Sequence, residues 1–224
     1  MRHLALPLLT ATLAAAFATG CAIAPREPFT VKLIGFNDYH GHLQSPGQLA
    51  ARAGAPRVAV GGADALASHV AALKAANPLN AVVGAGDFIG ASPMISSLFH
   101  DEPSVESLNR IGVEFNAVGN HEFDRGVAEL RRLQAGGCKP GDANSCRGAA
   151  VGTPVPFEGA KFQWLAANVE DTATGRTIFP AYGIKRFQGV PVAFIGMTLK
   201  ETPTIVTPTG VAGLRFTDEA ETAN

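Results

Sequence analysis

The 224-residue chain is short of several features that mark specialised proteins. It has three cysteines, and no cysteine or histidine follows Cys146, which argues against a metal site at that pair. The formal net charge is only −1, which gives no indication of a nucleic-acid-binding or anionic-membrane surface. Aromatic residues make up 7%, whereas 25 glycines and 15 prolines accompany a 46% apolar content. This composition predicts one α/β domain with many turns and a sizeable core.

Apolar runs of membrane-spanning length are also missing. Leu4–Ala18 follows Arg2 without a charge and is too short for a comfortable transmembrane helix, so residues 1–20 are predicted to be a secretory signal. Ala18-Thr19-Gly20-Cys21 resembles a bacterial lipoprotein processing site, although that pattern prefers Leu at Ala18. We therefore expect export to the periplasm or cell envelope, with Cys21 as the lipidated first mature residue and residues 21–28 as a tether. An ordinary signal peptide cleaved nearby is the alternative.

The remaining pattern alternates between short apolar runs and helical periodicity. Val31–Phe36 is nearly all apolar and is predicted to be a buried central strand, and Gln44–Gly62 is predicted to be a loop. Further strands are predicted at 80–86, 115–118, 162–169, 182–187 and 190–197, the last two as a hairpin. Helices are predicted at 63–76, 103–111 and 125–134.

Polar side chains follow three of these strands, in the segments Asn37–His42, Gly84–Asp87 and Gly119–Asp124. In an α/β sheet, residues just past the carboxyl ends of strands face one crevice, so we expect the three segments to meet. Loop aspartates are ordinarily turn or capping residues. Three such segments in one chain favour a functional site instead.

The four candidate metal ligands are Asp38, His40, Asp87 and Asn120. They offer oxygen and imidazole atoms and no thiolate, which suits Zn, Mn, Fe or Mg rather than a structural cysteine-zinc site.

Other polar residues near these segments have more ordinary roles. Next to the candidate ligands, His121 and Asp124 could form an oriented acid/base pair. We expect Glu122 to pack or cap and His42 to support the site or be solvated rather than bind metal. His69 is expected on the polar face of a helix, and His100 is expected to be solvated.

The three segments, read as NDYHGHL, GAGDFIGASP and GNHEFDRG, resemble the N-terminal blocks of calcineurin-like metallophosphoesterases. The resemblance is narrower to the bacterial exported 5′-nucleotidase, UDP-sugar hydrolase and 2′,3′-cyclic nucleotide phosphodiesterase family. It runs from about Phe29 to Asn224. It implies a four-layer α/β/β/α sandwich that is incomplete at its C-terminal end, so that residues 29–224 form a partial domain.

The resemblance also implies a role for each candidate ligand. Asp38 and His40 would bind a first divalent metal, Asp87 would bridge two metals, and Asn120 would bind the second through its side-chain oxygen. The metals, Zn, Mn or another divalent ion, would make a hydroxide available to attack phosphorus in line. His121, oriented by Asp124, would stabilise developing charge or protonate the leaving oxygen. The expected substrate is a nucleoside 5′-monophosphate or a related nucleotide.

This chain departs from the family pattern beyond His121, because no histidine follows that residue. The family completes its metal site with further downstream histidines and carries a separate C-terminal domain for the base. The second site therefore keeps only Asp87 and Asn120 and should bind metal weakly. The sequence also stops within a predicted helix, so we expect a fragment with little activity of its own. The alternatives are a thiosulfohydrolase-like enzyme on the same scaffold, or an inactive fragment that binds at most one metal.

The loop from Gly136 to Cys146 has little besides its two cysteines to hold it. In an exported protein a Cys138–Cys146 disulfide is the simplest interpretation, and lipidation of Cys21 would leave an even count. Some bacterial nucleotidases of the family carry a comparable loop. The metal identity, the preferred nucleotide and the oligomeric state remain open at this point.

Overall fold

The computed structural model of the chain describes residues 27–224. The predicted signal at residues 1–20 and the predicted lipidation at Cys21 lie outside the described residues, as does all of the predicted tether except Glu27 and Pro28. Eleven strands are seen within the described part: β1 Lys32–Phe36, β2 Gly47–Ala50, β3 Arg57–Val60, β4 Asn80–Gly84, β5 Phe115–Ala117, β6 Gln163–Leu165, β7 Val169–Asp171, β8 Arg176–Thr177, β9 Tyr182–Phe187, β10 Val190–Ile195 and β11 Leu214–Phe216. The α-helices of that part are α1 Ala63–Ala76, α2 Met94–Ser97, α3 Glu102–Ile111, α4 Val127–Ala135 and α5 Glu219–Ala223.

A parallel sheet in the order β1-β4-β5-β6 positions the candidate site. Ala81 and Val82 of the inner strand β4 and Trp164 of the last strand β6 have no exposed surface. The loops after β1, β4 and β5 leave the same edge of this sheet, because parallel strands end on the same side. They are the loops that carry the polar segments of the sequence.

The prediction that β1 is a buried central strand is wrong. Among residues 27–224 its only strand neighbour is β4, and Leu33 is 57% exposed. The apolar run of β1 therefore covers one buried face through Ile34 while Leu33 points away from the core. A continuous apolar run does not distinguish a central strand from an edge strand that has one face uncovered.

The prediction that Gln44–Gly62 is a loop is also wrong, since β2 and β3 pair there as an antiparallel hairpin. All four residues of β2 are exposed, as are the first three of β3. Because the hairpin buries so little, its sequence lacks the apolar alternation that identifies a half-buried strand.

The predicted helices are confirmed, with small shifts at their ends. α1 has the predicted bounds, α3 begins one residue early, and α4 begins two residues late. α3 buries Val105, Leu108 and Ile111 and ends at Gly112, whose φ of +85° suits a glycine at a helix C-terminus. α4 buries Leu130 and Leu133.

The C-terminal third is built from antiparallel strands. β9 and β10 form the predicted hairpin, and the connecting Gln188 and Gly189 both have positive φ, as a type I′ turn requires. The predicted strand 162–169 is instead divided into β6 and β7, which belong to different sheets. The buried amide of Asn168 lies at the division and bonds Thr198 and Thr217. Within the part of the chain that the structure describes, no helix has the length and apolar character needed to cross a membrane.

Candidate functional site

The loops after β1 and β4 are joined by backbone hydrogen bonds. The amide of Asp38 donates to the Gly86 carbonyl over 3.2 Å, and the amide of His40 donates to the Asp87 carbonyl over 3.0 Å. Asp38, His40 and Asp87 all have positive φ, at 53°, 45° and 56°. This backbone conformation costs a non-glycine residue about 1–3 kcal/mol and is concentrated at functional sites. Three such residues on two joined loops mark this edge of the sheet as a candidate site.

The loop after β5 is held against the loop after β4 by the buried carboxylate of Glu122. It accepts hydrogen bonds from the amides of Asp87, Phe88 and Gly119 over 2.8–2.9 Å. Burial raises the pKa of Glu122 to about 7, and the nearby charge of Asp87 acts in the same direction. Glu122 therefore fixes the two loops to each other, in line with the capping role expected from the sequence.

These two loops approach so closely that glycine is required at their contact. A Cβ atom on Gly119 would lie 2.2 Å from Oδ1 of Asp87, and one on Gly86 would lie 2.7 Å from Cα of Gly119. The amide of His121 also donates to Oδ1 of Asp87 over 3.0 Å. The close approach sets the position of the Asp87 carboxylate relative to His121.

Ligand atoms of His40, Asp87 and His121 lie within 4.8 Å of one another, which is close enough for one metal ion to contact all three. Nδ1 of His40 lies 2.8 Å from the Gly90 carbonyl, and donation to that oxygen leaves Nε2 as the acceptor that a metal would use. Oδ1 of Asp38 lies 3.7 Å from this Nε2. The donor set of nitrogen and carboxylate oxygen fits a divalent cation such as Zn or Mn.

Asn120 lies at the start of the 3₁₀ turn His121–Phe123, directly before the histidine. Unlike the other predicted ligands, it is placed at the site by its position next to His121 and not by a side-chain contact. The structure thus brings Asp38, His40 and Asp87 together with His121, and Asn120 adjoins them.

His121 and Asp124 form a close pair across the 3₁₀ turn. Nδ1 of His121 lies 2.9 Å from Oδ2 of Asp124, which also accepts the amide of Ala91 over 3.1 Å. Burial acts to lower the pKa of His121, but the hydrogen bond and charge of Asp124 outweigh it, so the pKa is raised. This is the arrangement of a histidine that can hold and release a proton from its second nitrogen.

The prediction that His100 is solvated is wrong. His100 is 8% exposed, its Nδ1 lies 2.9 Å from a guanidinium nitrogen of Arg125, and its Nε2 lies 2.8 Å from Oδ2 of Asp142. No local motif could reveal partners so distant in sequence. By contrast, His42 and His69 are exposed, and Nδ1 of His42 lies 3.0 Å from the Tyr39 carbonyl.

Sequence reasoning also missed Asp101, which follows His100 and is 2% exposed. Its Oδ1 accepts the hydroxyl of Ser96 over 2.8 Å, and its Oδ2 accepts the amide of Gly90 over 3.3 Å. Because the Gly90 carbonyl orients His40, Asp101 helps to fix the ring of His40 through its hydrogen bond to Gly90. Nothing in the surrounding sequence signals this role.

The structure joins Cys138 and Cys146 in a disulfide whose Cα atoms are 5.4 Å apart. The loop is also held by Glu102, which accepts the hydroxyl of Ser145 over 2.6 Å and the amide of Cys146 over 2.7 Å. Arg132 pairs with the same Glu102 carboxylate at 2.9 Å. The cysteine loop is therefore docked on the start of α3.

No family model matches the chain, but curated relatives do. It is 44% identical over 203 residues to an uncharacterised protein in the pqq-V 5′ region of Acinetobacter calcoaceticus, with 81% of this chain and 95% of that protein covered. It is 36% identical to endonuclease YhcR of Bacillus subtilis, and the alignment covers 90% of this chain and 16% of that protein. It is 29% identical to the 5′-nucleotidase of Vibrio cholerae, and the alignment covers 96% of this chain and 34% of that protein. The chain thus spans about a third or less of these two named relatives.

Solved structures share the fold at lower identity. The NAD nucleotidase of Haemophilus influenzae has a TM-score of 0.65 at 23% identity, with 86% of this chain and 30% of that one covered. The calcineurin-like phosphoesterase YfkN of Bacillus subtilis has a TM-score of 0.60 at 19% identity, and the superposition covers 87% of this chain and 56% of that one. The sulfate thiohydrolase SoxB of Thermus thermophilus has a TM-score of 0.61 at 18% identity, with 89% and 41% covered. The described residues therefore have the metallophosphoesterase fold, as the sequence predicted.

Proposed function

The chain belongs to the 5′-nucleotidase branch of the calcineurin-like metallophosphoesterases, a family of phosphoric ester hydrolases, and we propose that it is a metal-dependent phosphohydrolase. The observation that carries the proposal is the convergence of His40, Asp87 and His121 at the edge of the parallel sheet. Beside them, Asp124 holds His121. A ligand set and an acid/base pair at one point are what hydrolysis of a phosphoester requires.

In this proposal Asp38, His40 and Asp87 would hold a first divalent cation, and Asp87 and Asn120 would hold a second one more weakly. Bound cations would lower the pKa of water and polarise the phosphoryl oxygens. The donor set supports the first site better than the second, which has one shared carboxylate and one neutral amide.

The chain's own acid/base group is His121. Because Asp124 engages Nδ1, Nε2 is the atom that would give a proton to the leaving oxygen or stabilise its developing charge. Ala91 donates its amide to the same Asp124 oxygen and so keeps that carboxylate in place. The pair is about one-third exposed on each side chain, which leaves it open to a substrate.

We propose nucleoside 5′-monophosphates or related nucleotides as substrates, acted on outside the cytoplasm after export. The support is the similarity to the Vibrio cholerae 5′-nucleotidase and the fold shared with the Haemophilus influenzae NAD nucleotidase. Export rests on the signal-like residues 1–20, and lipid anchoring at Cys21 is a proposal on the same segment.

Two other reactions have some support, and an experiment distinguishes each of them from nucleotide hydrolysis. Because the chain shares the fold of the sulfate thiohydrolase SoxB, a thiosulfohydrolase activity is one alternative. The relative named an endonuclease raises nucleic acid as a substrate, but this chain covers only 16% of that protein and has a net charge of −1.

The test is phosphate release from AMP by the purified chain with added Mn²⁺ or Zn²⁺. We expect slow release, because the second cation would be held weakly, and we expect the His121→Ala variant to be slower again by about 10²–10⁴-fold, the range for removing a general acid. His69→Ala is the matched control, because His69 is exposed on α1. Cleavage of a thiosulfate conjugate or of single-stranded DNA, with no release from AMP, would overturn the proposal in favour of the corresponding alternative.

A further inference from the structure

A single peptide unit connects the candidate metal ligand His40 to the acid/base pair. Its carbonyl, that of Gly90, accepts Nδ1–H of His40 over 2.8 Å, and its N–H, that of Ala91, donates to Oδ2 of Asp124 over 3.1 Å. The same carboxylate oxygen lies 2.9 Å from Nδ1 of His121. Because a peptide unit is planar, its carbonyl and its N–H turn together. The orientation of the Gly90–Ala91 peptide therefore affects both histidines at once.

The backbone holds this peptide in an orientation that is unfavourable for one of its two residues. Ala91 has a φ of +46°, in the left-handed region that alanine rarely occupies. Turning the peptide over would change ψ of Gly90 and φ of Ala91 by about 180°, which would bring Ala91 into the extended region. Gly90, with a φ of +78°, opposes this rotation little because glycine is conformationally permissive. The observed orientation therefore depends on hydrogen bonds.

Asp101 supplies the hydrogen bond that holds the other side of Gly90. Its Oδ2 accepts the Gly90 amide over 3.3 Å, and its Oδ1 accepts the hydroxyl of Ser96 over 2.8 Å. Asp101 is 2% exposed, and within residues 27–224 no ion pair engages its carboxylate. A carboxylate is costly to bury without a cation, which points to a use for the two hydrogen bonds that it accepts.

The segment around Gly90 and Ser96 also packs directly against both histidine-bearing loops. A Cβ atom on Gly90 would lie 2.3 Å from the carbonyl oxygen of His121. A Cβ atom on Gly41, which follows His40, would lie 2.6 Å from the hydroxyl oxygen of Ser96. Because close-packed atoms transmit displacement, a shift of this segment is passed on to both loops.

We propose that Asp101 is a positioning residue for both halves of the candidate site, acting through the Gly90–Ala91 peptide. By holding the Gly90 amide, it keeps the peptide in the orientation that fixes Nδ1 of His40 and Oδ2 of Asp124. The catalytic consequence rests on the proposed function, whereas the orientation of the peptide is tested without metal or substrate.

The test uses the metal-free chain at a pH at which its imidazoles are neutral. A neutral histidine in water favours the tautomer with its proton on Nε2, whereas the Gly90 carbonyl requires Nδ1–H in His40. Nitrogen-15 chemical shifts of the His40 ring report the tautomer, and the amide proton shift of Ala91 reports the hydrogen bond to Asp124. In the unaltered chain we expect a ring held as Nδ1–H and a hydrogen-bonded amide.

Asp101→Gly removes the side chain and suits the φ of +61° at this position. We expect the His40 ring to become a mixture of tautomers and the Ala91 amide to lose its hydrogen-bonded shift, both in the same variant. In Asp101→Gly/Ala91→Gly, glycine removes the cost of positive φ at an exposed position, so both signals should return in part. A role of Asp101 in overall stability alone would not be rescued at Ala91.

His100→Gly is the matched control. His100 precedes Asp101, is likewise buried, and has a φ of +57°. Its ring contacts Arg125 and Asp142 rather than Gly90. The substitution should destabilise the fold and leave the ring tautomer and the amide shift as they are in the unaltered chain.

Mn²⁺ affinity extends the test to the proposed site. Asp101→Gly should bind Mn²⁺ about tenfold more weakly, as is typical when the partner of a ligand is lost. Asp101→Asn keeps an acceptor for the Gly90 amide and should bind much as the unaltered chain does. Absence of Mn²⁺ binding and of phosphate release in the unaltered chain would refute the proposed function, while the ring and amide signals would still decide the role of Asp101.

Three results would overturn the inference. They are a His40 ring still held as Nδ1–H in Asp101→Gly, a change in only one of the two signals, and an equal change of both in His100→Gly. If Asp101→Gly does not fold, Ala91→Pro takes its place, because proline has no N–H and its fixed φ excludes the observed orientation. That variant should free the His40 ring, and a ring still held as Nδ1–H would again overturn the inference.

Discussion

The ring of His40 stands edge-on to the ring of His121, with ring centroids 4.8 Å apart and an interplanar angle of 82°. The two histidines follow different strands, and their ligand atoms lie within 4.8 Å of each other and of one from Asp87, which follows a third strand. Each ring is held at Nδ1, by the Gly90 carbonyl and by Asp124 respectively. Both Nε2 atoms are therefore left available to a metal ion or a substrate.

Removal of His40 should weaken metal binding without unfolding the chain. We expect His40→Ala to lower the affinity for Mn²⁺ by at least about tenfold, since even residues that only support a ligand contribute that much. The measurement is isothermal titration calorimetry with MnCl₂. His69→Ala, at an exposed histidine on α1, should bind as the unaltered chain does. Equal affinities for all three proteins would mean that His40 is not a ligand.

A methyl group at Gly119 should disturb the site from within. The added Cβ would meet Oδ1 of Asp87 at 2.2 Å, so Gly119→Ala should lower the free energy of unfolding by about 1–3 kcal/mol and weaken Mn²⁺ binding together. Gly35→Ala is the control, because its Cβ would find nothing nearer than 3.9 Å. Denaturant titration measures the stability; a Gly119→Ala chain as stable as Gly35→Ala would refute the close contact.

His100 should prove structural rather than solvated. Loss of its ring removes one partner from Arg125 and one from Asp142 and leaves a buried space, so His100→Ala should cost about 1–3 kcal/mol of unfolding free energy. His69→Ala should change stability by less than about 0.5 kcal/mol, as exposed positions do. Thermal unfolding of the two variants side by side provides the comparison. A similar small change in both would restore the solvated interpretation of His100.

The Cys138–Cys146 disulfide should form in the exported protein and stabilise it. For so short a loop the loss of denatured-state entropy corresponds to about 2–3 kcal/mol. Intact mass before and after reduction should differ by the two hydrogens of the opened bond. Denaturant titration in the presence of a reductant should show the loss of stability, and a Cys138→Ser/Cys146→Ser variant should show no further loss on reduction. A native mass that reveals two free thiols would contradict the pairing.

The convergence of the candidate ligands could be predicted because they follow strands directly. The segments around Asp38, Asp87 and His121 each come after an apolar run, and parallel strands end on the same side of a sheet. The same logic fails for β1, whose apolar run predicts a central strand although Leu33 is exposed. Periodicity reports burial of a face but not the number of neighbouring strands.

The supports of the site could not be predicted, because they depend on tertiary contacts alone. Asp101 reaches Gly90 and Ser96, and His100 reaches Arg125 and Asp142, with no shared local pattern. Both His100 and Asp101 have positive φ, which a sequence reveals only when the residue is glycine. The exposed hairpin β2–β3 escaped prediction for a related reason, since it buries too little surface to leave a periodic signature.

The central claim is that the strand-end loops hold a divalent cation, and anomalous diffraction from crystals soaked in MnCl₂ tests it most directly. The account predicts one strong anomalous peak in contact with His40 and Asp87, beside Asp38. A second, weaker peak is expected next to Asn120, where the ligand set is poorer. Peaks confined to other parts of the surface, or none at the His40–Asp87 cluster at saturating Mn²⁺, would contradict the account.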